Sequence, residues 1–128
     1  MAIVNITVTK PSGSLVVSPL SADSTIGTQL VWTLDAAVTG SFETGQPFAW
    51  HPDCVPPAGT CSAPVLSNAN RTLSMDFLTD TDMNLAYKLF ARLSNGKIVT
   101  TSYGPIGSEP VSAVNPKLPP SSPKIKNR

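Results

Sequence analysis

Apolar and polar residues alternate along much of the chain, and a period of two is the pattern of a β-strand with one buried side. The alternation is clearest in residues 4–8, 28–34 and 73–77. Shorter apolar segments at residues 15–17 and 48–50 also fit strands, and no segment repeats apolar residues at helical spacing over three turns. The pattern therefore predicts a chain built from β-strands.

A β-hairpin is the strongest local prediction. Apolar residues alternate along residues 85–93, and a β-branched segment follows at residues 98–103. Asn95 and Gly96 lie between them and can adopt the positive φ angles of a type I′ turn. About seven strands are then expected, which is typical of an antiparallel β-sandwich of the immunoglobulin-like kind. The residues expected to face its core are Val4, Ile6, Val8, Leu30, Trp32, Leu34, Leu73, Met75, Phe77, Leu85, Tyr87, Leu89 and Leu93.

The composition changes near residue 104. Five prolines lie between residues 110 and 123, together with Ser and Lys and few apolar residues. Such a segment favours extended polyproline geometry. The sequence therefore predicts a sandwich over residues 1–104 and a proline-rich basic C-terminal arm or tail over residues 105–128. Ile125 is expected to be exposed in a monomer, and an ordered arm is expected to dock on a neighbouring subunit as part of a homo-oligomer.

Charge is unevenly distributed, although the formal net charge is only +1. No acidic residue follows Glu109, whereas four of the nine basic residues do, namely Lys117, Lys124, Lys126 and Arg128. The other five basic residues and all eight acidic residues lie at or before Glu109, which gives that part a net charge near −3. Nucleic-acid binding requires clustered Lys and Arg, so no nucleic-acid partner is expected.

Membrane association is not expected either. No apolar run approaches the roughly 18 residues that span a bilayer. The first six residues lack a basic stretch followed by a long apolar segment, so no signal peptide is expected in them. The compartment stays open, because the chain is either intracellular or derived from a precursor whose signal was removed.

Several short motifs occur in an order that resembles a known family. They are the Thr/Val alternation of residues 4–9, Trp32-Thr33-Leu34, residues 72–77, residues 87–93 and Ser122-Pro123-Lys124-Ile125-Lys126-Asn127. The chain resembles small bacterial immunoglobulin-like proteins that end in Asp-Pro-x-Ile-x-Asn, the DP-EP family. Ser122 replaces the aspartate of that motif, and an extra proline-rich segment precedes it. The resemblance implies an immunoglobulin-like fold and the packing of Ile125 against the sandwich, and it assigns no activity.

One loop concentrates the residues that carry chemistry, namely His51, Asp53, Cys54 and Cys61. The expected arrangement is a disulfide between Cys54 and Cys61, which would close an eight-residue loop and stabilise the fold by about 2–3 kcal/mol. Three alternatives stay open: two free thiols, a metal site that uses His51 and Asp53 with both thiols, and a thiolate nucleophile activated by His51.

The sequence lacks the ligand residues of two other common metal sites, blue copper and the EF-hand calcium loop. The chain has one histidine, whereas a blue-copper site needs two histidines and a cysteine. Leu85 and Ala91 occupy the glycine and bidentate glutamate positions of a calcium-binding EF-hand loop, which excludes that motif. An acidic turn is expected instead, with a looser calcium site as the alternative, at Asp76, Asp80, Asp82 and Asn84. No catalytic, metal or cofactor site is therefore predicted.

The predicted function follows from the absence of a catalytic constellation. A non-enzymatic β-sandwich module that contacts another protein is expected, with the identity of that protein unknown. The alternative is a carbohydrate-binding module, in which Trp50, His51 and Asp53 are the candidate ligand-binding residues. An aromatic ring next to polar groups is a common way to hold a sugar, and Trp50 lies directly before the loop. A hydrolase or a cysteine-based enzyme is the third hypothesis for the function.

Overall fold

A computed structural model describes residues 3–10, 13–18, 21–24, 26–52, 55–79, 83–101 and 124–127. These residues form eleven strands and no helix, so the all-β prediction is confirmed. No helix in the described part of the chain could cross a membrane. The strands are β1 (Ile3–Thr9), β2 (Val16–Ser18), β3 (Ser21–Ser24), β4 (Gln29–Leu34), β5 (Gly40–Phe42), β6 (Phe48–Trp50), β7 (Val65–Ser67), β8 (Thr72–Asp76), β9 (Met83–Leu93), β10 (Ile98–Thr100) and β11 (Lys124–Asn127).

The strands form two sheets. The first sheet has the order β2-β1-β4-β8-β7. The second sheet is centred on β9, which pairs with β5, β6, β10 and β11, while β3 pairs with β11. Buried side chains from both sheets form one hydrophobic core. Two sheets around a shared core are the arrangement of a β-sandwich.

Two strand pairs are parallel, β1 with β4 and β3 with β11. The prediction of a wholly antiparallel sandwich was wrong for these pairs. Apolar alternation reports which side of a strand is buried and carries no information on strand direction. The direction follows from a crossover: β2 pairs with β1 in the first sheet, and β3 pairs with β11 in the second. After β3 the chain crosses back to the first sheet, and β4 then runs in the same direction as β1, as parallel pairing requires.

The predicted core residues face the core, as the alternation indicated. Of the thirteen, eleven are buried, and Val4 and Leu93 are partly buried and contact the core. Strand register explains this agreement, because Ile6, Trp32 and Leu73 lie side by side across β1, β4 and β8. The core also contains Leu15, Val17, Val38, Phe42, Ala86, Ala91, Val99 and Ile125.

An aromatic junction (Trp32, Phe48 and Tyr87) links the two sheets. Trp32 of β4 donates a hydrogen bond from Nε1 to Oη of Tyr87 on β9 at 2.8 Å, and both side chains are fully buried. The Phe48 ring lies 5.5 Å from Trp32 and 5.3 Å from Tyr87, centroid to centroid. Burial raises the pKa of the Tyr87 phenol well above its ordinary value. The phenol therefore stays neutral and accepts the indole hydrogen bond.

The predicted hairpin is present between β9 and β10, but its turn is not type I′. Gly96 has a φ of 86°, whereas Asn95 is not among the residues with positive φ. The Gly96 N–H donates to the Leu93 carbonyl, and the Leu93 N–H donates to the Lys97 carbonyl. This is a three-residue loop in which a left-handed glycine follows a turn. The Asn95 carboxamide accepts from the Lys97 N–H at 2.9 Å, which favours this geometry.

The C-terminal strand β11 is the largest departure from expectation. It lies between β9 and β3, where Ile125 is opposite Leu85 and Ala22. Ile125 is fully buried, so the prediction that it is exposed was wrong. One apolar residue among prolines and lysines gives no periodic signal, which is why only the family resemblance pointed to this packing. The predicted boundary at residue 104 lies outside the described residues.

β11 continues the line of β10 along one side of β9. The Thr101 N–H donates to the Leu89 carbonyl, and Lys124 is opposite Ala86. Leu89 and Ala86 are three positions apart in β9, about 10 Å at the usual rise of a strand. Residues 102–123 connect Thr101 to Lys124 and lie outside the described residues. Thr101 and Lys124, the described residues on either side of these, both lie beside β9.

Replacing Ile125 tests this position of β11. Ile125→Ala should lower the free energy of unfolding by about 2–4 kcal/mol, because it removes buried aliphatic volume. Urea denaturation followed by tryptophan fluorescence measures the change. Lys126→Ala, which leaves Ile125 in place, is the matched control and should cost much less. Equal stability of Ile125→Ala and the unmodified chain would contradict a packed β11.

Candidate functional site

Trp50, the first candidate ligand-binding residue, is partly buried at the end of β6. It pairs with Tyr87 of β9. Its ring meets the Phe48 ring edge-on, with centroids 4.8 Å apart and an interplanar angle of 84°. Trp50 therefore packs against the aromatic junction, and only part of its ring faces solvent.

His51 follows Trp50 and is buried, with 2% of its surface exposed. Its backbone N–H donates to the Ala86 carbonyl at 2.9 Å, which extends the pairing of β6 with β9. Asp53, the third candidate, lies outside the described residues, as does Cys54. The structure thus brings Trp50 and His51 together at one strand end but leaves little of either side chain accessible to a ligand.

Cys61 carries a free thiol. The disulfide expected between Cys54 and Cys61 is therefore not formed in this structure. Cys61 forms an isolated bridge with Phe77, and its side chain contacts the hydrophobic core. Burial raises the pKa of this thiol, which disfavours the thiolate that nucleophilic catalysis needs.

Asp76 is the part of the acidic cluster that the structure describes in full. Its backbone N–H donates to Ser62 Oγ at 2.9 Å, and its carbonyl accepts from the Ser62 N–H at 2.8 Å. Its Oδ1 atom is buried and has no hydrogen-bond partner. Asp80, Asp82 and the Asn84 side chain lie outside the described residues. Within the described ranges, no three potential ligand side chains gather for a metal ion.

The outward side of the first sheet is nearly free of charge. Strand register aligns its residues in rows, for example Asn5, Val31 and Ser74 across β1, β4 and β8. We call this surface the neutral face; it comprises Ile3, Asn5, Thr7, Thr9, Val16, Ser18, Gln29, Val31, Thr33, Val65, Ser67, Thr72, Ser74 and Asp76. Among these described residues, Asp76 alone is ionisable.

The outward side of the second sheet is charged. Arg92 of β9 forms an ion pair with Glu43 at 2.8 Å. The Gly45 N–H and, to a lesser extent, the Arg92 guanidinium hold the pKa of the Glu43 carboxyl below its usual value. Lys88 lies 6.0 Å from the Phe90 ring centroid. The two outer surfaces of the sandwich therefore differ in chemistry.

Three of the seven exposed large apolar side chains among the described residues lie on the neutral face. Ile3, Val16 and Val65 are 57%, 44% and 58% exposed. Leu78, two positions after Asp76 and so on the same side by alternation, is 50% exposed. On the strands of the second sheet, Ile98 is the exposed large apolar residue among those described. Low charge and exposed apolar groups on one surface are typical of a site of contact with another protein.

Arg71 stabilises one end of the first sheet, a role that no sequence pattern predicts. Its guanidinium donates to the carbonyls of Leu34, Asp35, Val38 and Gly40 at 2.7–3.3 Å. Four bonds from one side chain fix the segment between β4 and β5 beside the turn that joins β7 and β8. Such a role depends on carbonyls that converge only in the folded chain.

Gly40 is the second residue whose role appears only in the structure. Its φ is +128°, and a Cβ atom there would lie 2.2 Å from the Arg92 carbonyl oxygen. Any side chain would therefore displace β5 from β9. The sequence shows only a glycine at the start of a short segment without clear periodicity, and that alone does not predict the close contact with β9.

Comparisons with known proteins add no assignment. Neither the protein-family models nor the curated proteins give a match to this chain.

The state of Cys61 can be tested by thiol reaction. Cys54→Ser leaves one thiol, which should react with a disulfide reagent at neutral pH at least about tenfold more slowly in the folded protein than in denaturant, because burial raises its pKa and limits access. The unmodified, air-exposed protein is the matched sample. If Cys61 of the unmodified, air-exposed protein shows no reactive thiol after denaturation, the free state of Cys61 is contradicted.

Proposed function

We propose that this chain is a non-enzymatic β-sandwich module that binds another protein through the neutral face. The supporting observation is the contrast between its two outer surfaces. The neutral face carries one ionisable residue, Asp76, whereas the opposite surface carries Lys88, Arg92 and Glu43. Interface cores are depleted in charged residues relative to ordinary protein surface.

The neutral face is the outer surface of a five-stranded sheet, which favours a broad contact over a small ligand. Exposed Thr7 and Thr33 lie side by side in adjacent strands, and Ser67 continues the row at the β7 edge. Their hydroxyl groups both donate and accept hydrogen bonds. The partner that fits is a protein surface that offers uncharged polar groups and apolar side chains, and it needs no charge pattern to match.

The immunoglobulin-like character of the sandwich belongs to this proposal in its broad sense. Two packed sheets around one core are the arrangement of such sandwich domains. The parallel pairs β1–β4 and β3–β11 depart from the antiparallel sheets of immunoglobulin domains. Membership in the DP-EP family likewise remains a proposal, and it rests on the motifs of residues 72–77 and 122–127.

A carbohydrate-binding module has less support. Sugar recognition needs an aromatic ring whose flat side is open, and the Trp50 ring meets Phe48 at one edge and is partly buried. His51 is buried beside it. An enzyme that uses a thiolate also has less support, because burial raises the pKa of the Cys61 thiol.

Site-specific crosslinking in the source cell tests the neutral face. A photoreactive amino acid at Thr7 or Thr33 should capture the same protein, because both positions are exposed in the neutral face. Arg92 and Ile98, exposed on the second sheet, are the matched control positions and should not capture it. Mass spectrometry identifies the captured protein.

A charge variant completes this test. Thr33→Lys should abolish capture from Thr7, since it places an unpaired charge in the contact, and it should leave the melting temperature unchanged. Capture that is equal on both sheets, or unaffected by Thr33→Lys, would contradict the proposal. A specific glycan-array signal that is lost in Trp50→Ala would favour the carbohydrate-binding alternative.

A further inference from the structure

Strand β7 forms one edge of the first sheet. It pairs with β8 through Val65–Ser74, Leu66–Leu73 and Ser67–Thr72, and it has no other partner among the described strands. Val65 is 58% exposed, and Leu66 is partly buried against the core. An edge strand presents backbone groups that can pair with a strand of another chain.

No charge protects this edge. The nine residues from Ser62 to Asn70 contain no ionisable side chain. Natural edges are usually protected by charged residues, proline, a covering segment or a very short strand, and of these β7 has only its short length and the adjacent Pro64. Pro64 directly precedes β7 and has no backbone N–H to donate, so pairing at this edge is confined to β7 itself. By comparison, β10 follows Lys97 and pairs with Arg92, and the start of β2 is covered by the Leu15 N–H bond to the Thr100 carbonyl.

The turn after β7 holds the edge in a fixed conformation. Asn68, Ala69 and Asn70 all have left-handed φ angles, between 52° and 63°. The Asn68 carboxamide donates to Thr72 Oγ1 at 3.0 Å, and the Asn70 carbonyl accepts from the Phe42 N–H at 2.8 Å. Left-handed non-glycine residues are costly, so these bonds and the neighbouring Arg71 bonds maintain the turn. A preformed edge loses little conformational entropy when it pairs.

We propose that β7 pairs with β7 of a second copy of this chain, antiparallel and about a two-fold axis at Leu66. In this register Leu66 faces Leu66 of the partner subunit, and Val65 faces Ser67 of the partner subunit. No like charges meet. The two first sheets then form one ten-stranded sheet, with both neutral faces on the same side. This inference goes beyond the proposed function and does not depend on it.

The dimer is expected to be weak, because a three-residue strand covers less area than the roughly 1,200 Å² of a stable interface. Sedimentation equilibrium of the full chain should therefore show a monomer–dimer equilibrium at high micromolar concentration. The Val65→Lys/Ser67→Lys double variant should remove it, with association at least tenfold weaker. Ile98→Lys, which places a lysine at an exposed apolar position of another edge strand, is the matched control and should dimerise as the unmodified chain does.

A complementary pair of variants tests the register. The Val65→Glu/Ser67→Glu variant should also be monomeric, and mixing it with the double lysine variant should restore dimers, because the antiparallel register places position 65 opposite position 67. A monomer at every concentration, or a dimer that survives the double lysine variant, would overturn the inference. Either result leaves crosslinking from Thr33 to a different protein unaffected, so failure here is distinguishable from failure of the proposed function. Dimers that form in the double lysine or the double glutamate variant alone, without the oppositely charged partner, would also overturn the inference.

Discussion

The hydrogen bond between Trp32 and Tyr87 is the interaction on which the arrangement of the two sheets depends. Trp32 lies in β4, in the middle of the first sheet, and Tyr87 lies in β9, which pairs with four strands of the second. A buried indole N–H needs an acceptor, since an unsatisfied polar group in a core is costly. The phenol oxygen of Tyr87 is that acceptor, and the indole N–H is the donor that this buried oxygen receives. The stacked Phe48 ring closes the junction on one side.

The outer surfaces of the molecule follow from this junction. Once Trp32 faces inward, alternation turns Val31 and Thr33 outward, and register extends that choice to β1 and β8. The same holds on β9, where Tyr87 faces inward and Lys88 is partly exposed. The division into a neutral and a charged outer surface is therefore a consequence of core packing. The surface that carries little charge is the one that we propose as a protein-binding site.

Sequence reasoning succeeded where a strand contributes several buried residues. The segments that contain Trp32, Met75 and Leu89 were predicted because each repeats apolar residues every second position. β3, β5, β7 and β11 were not predicted, since each has three or four residues and too few apolar positions to show a period. The parallel pairs depend on a crossover that alternation does not encode.

The candidate site was predictable only in part. The loop at His51 concentrated reactive residue types, but composition gave no indication that His51 is buried and that Cys61 is partly buried against the core. The low charge of the neutral face could be seen in the sequence, where Ser and Thr occupy many polar positions of β1, β4 and β8. That signal required strand register to join them into one surface. The Arg71 bonds had no signal at all.

A double-mutant cycle at the aromatic junction tests the account most directly. Trp32→Phe and Tyr87→Phe each leave one buried polar group without its partner, and each should lower the free energy of unfolding by about 1–3 kcal/mol. The double variant leaves no orphaned group, so its loss in urea denaturation should be smaller than the sum of the two by about 1 kcal/mol or more. Strictly additive losses would contradict the claim that this hydrogen bond joins the sheets.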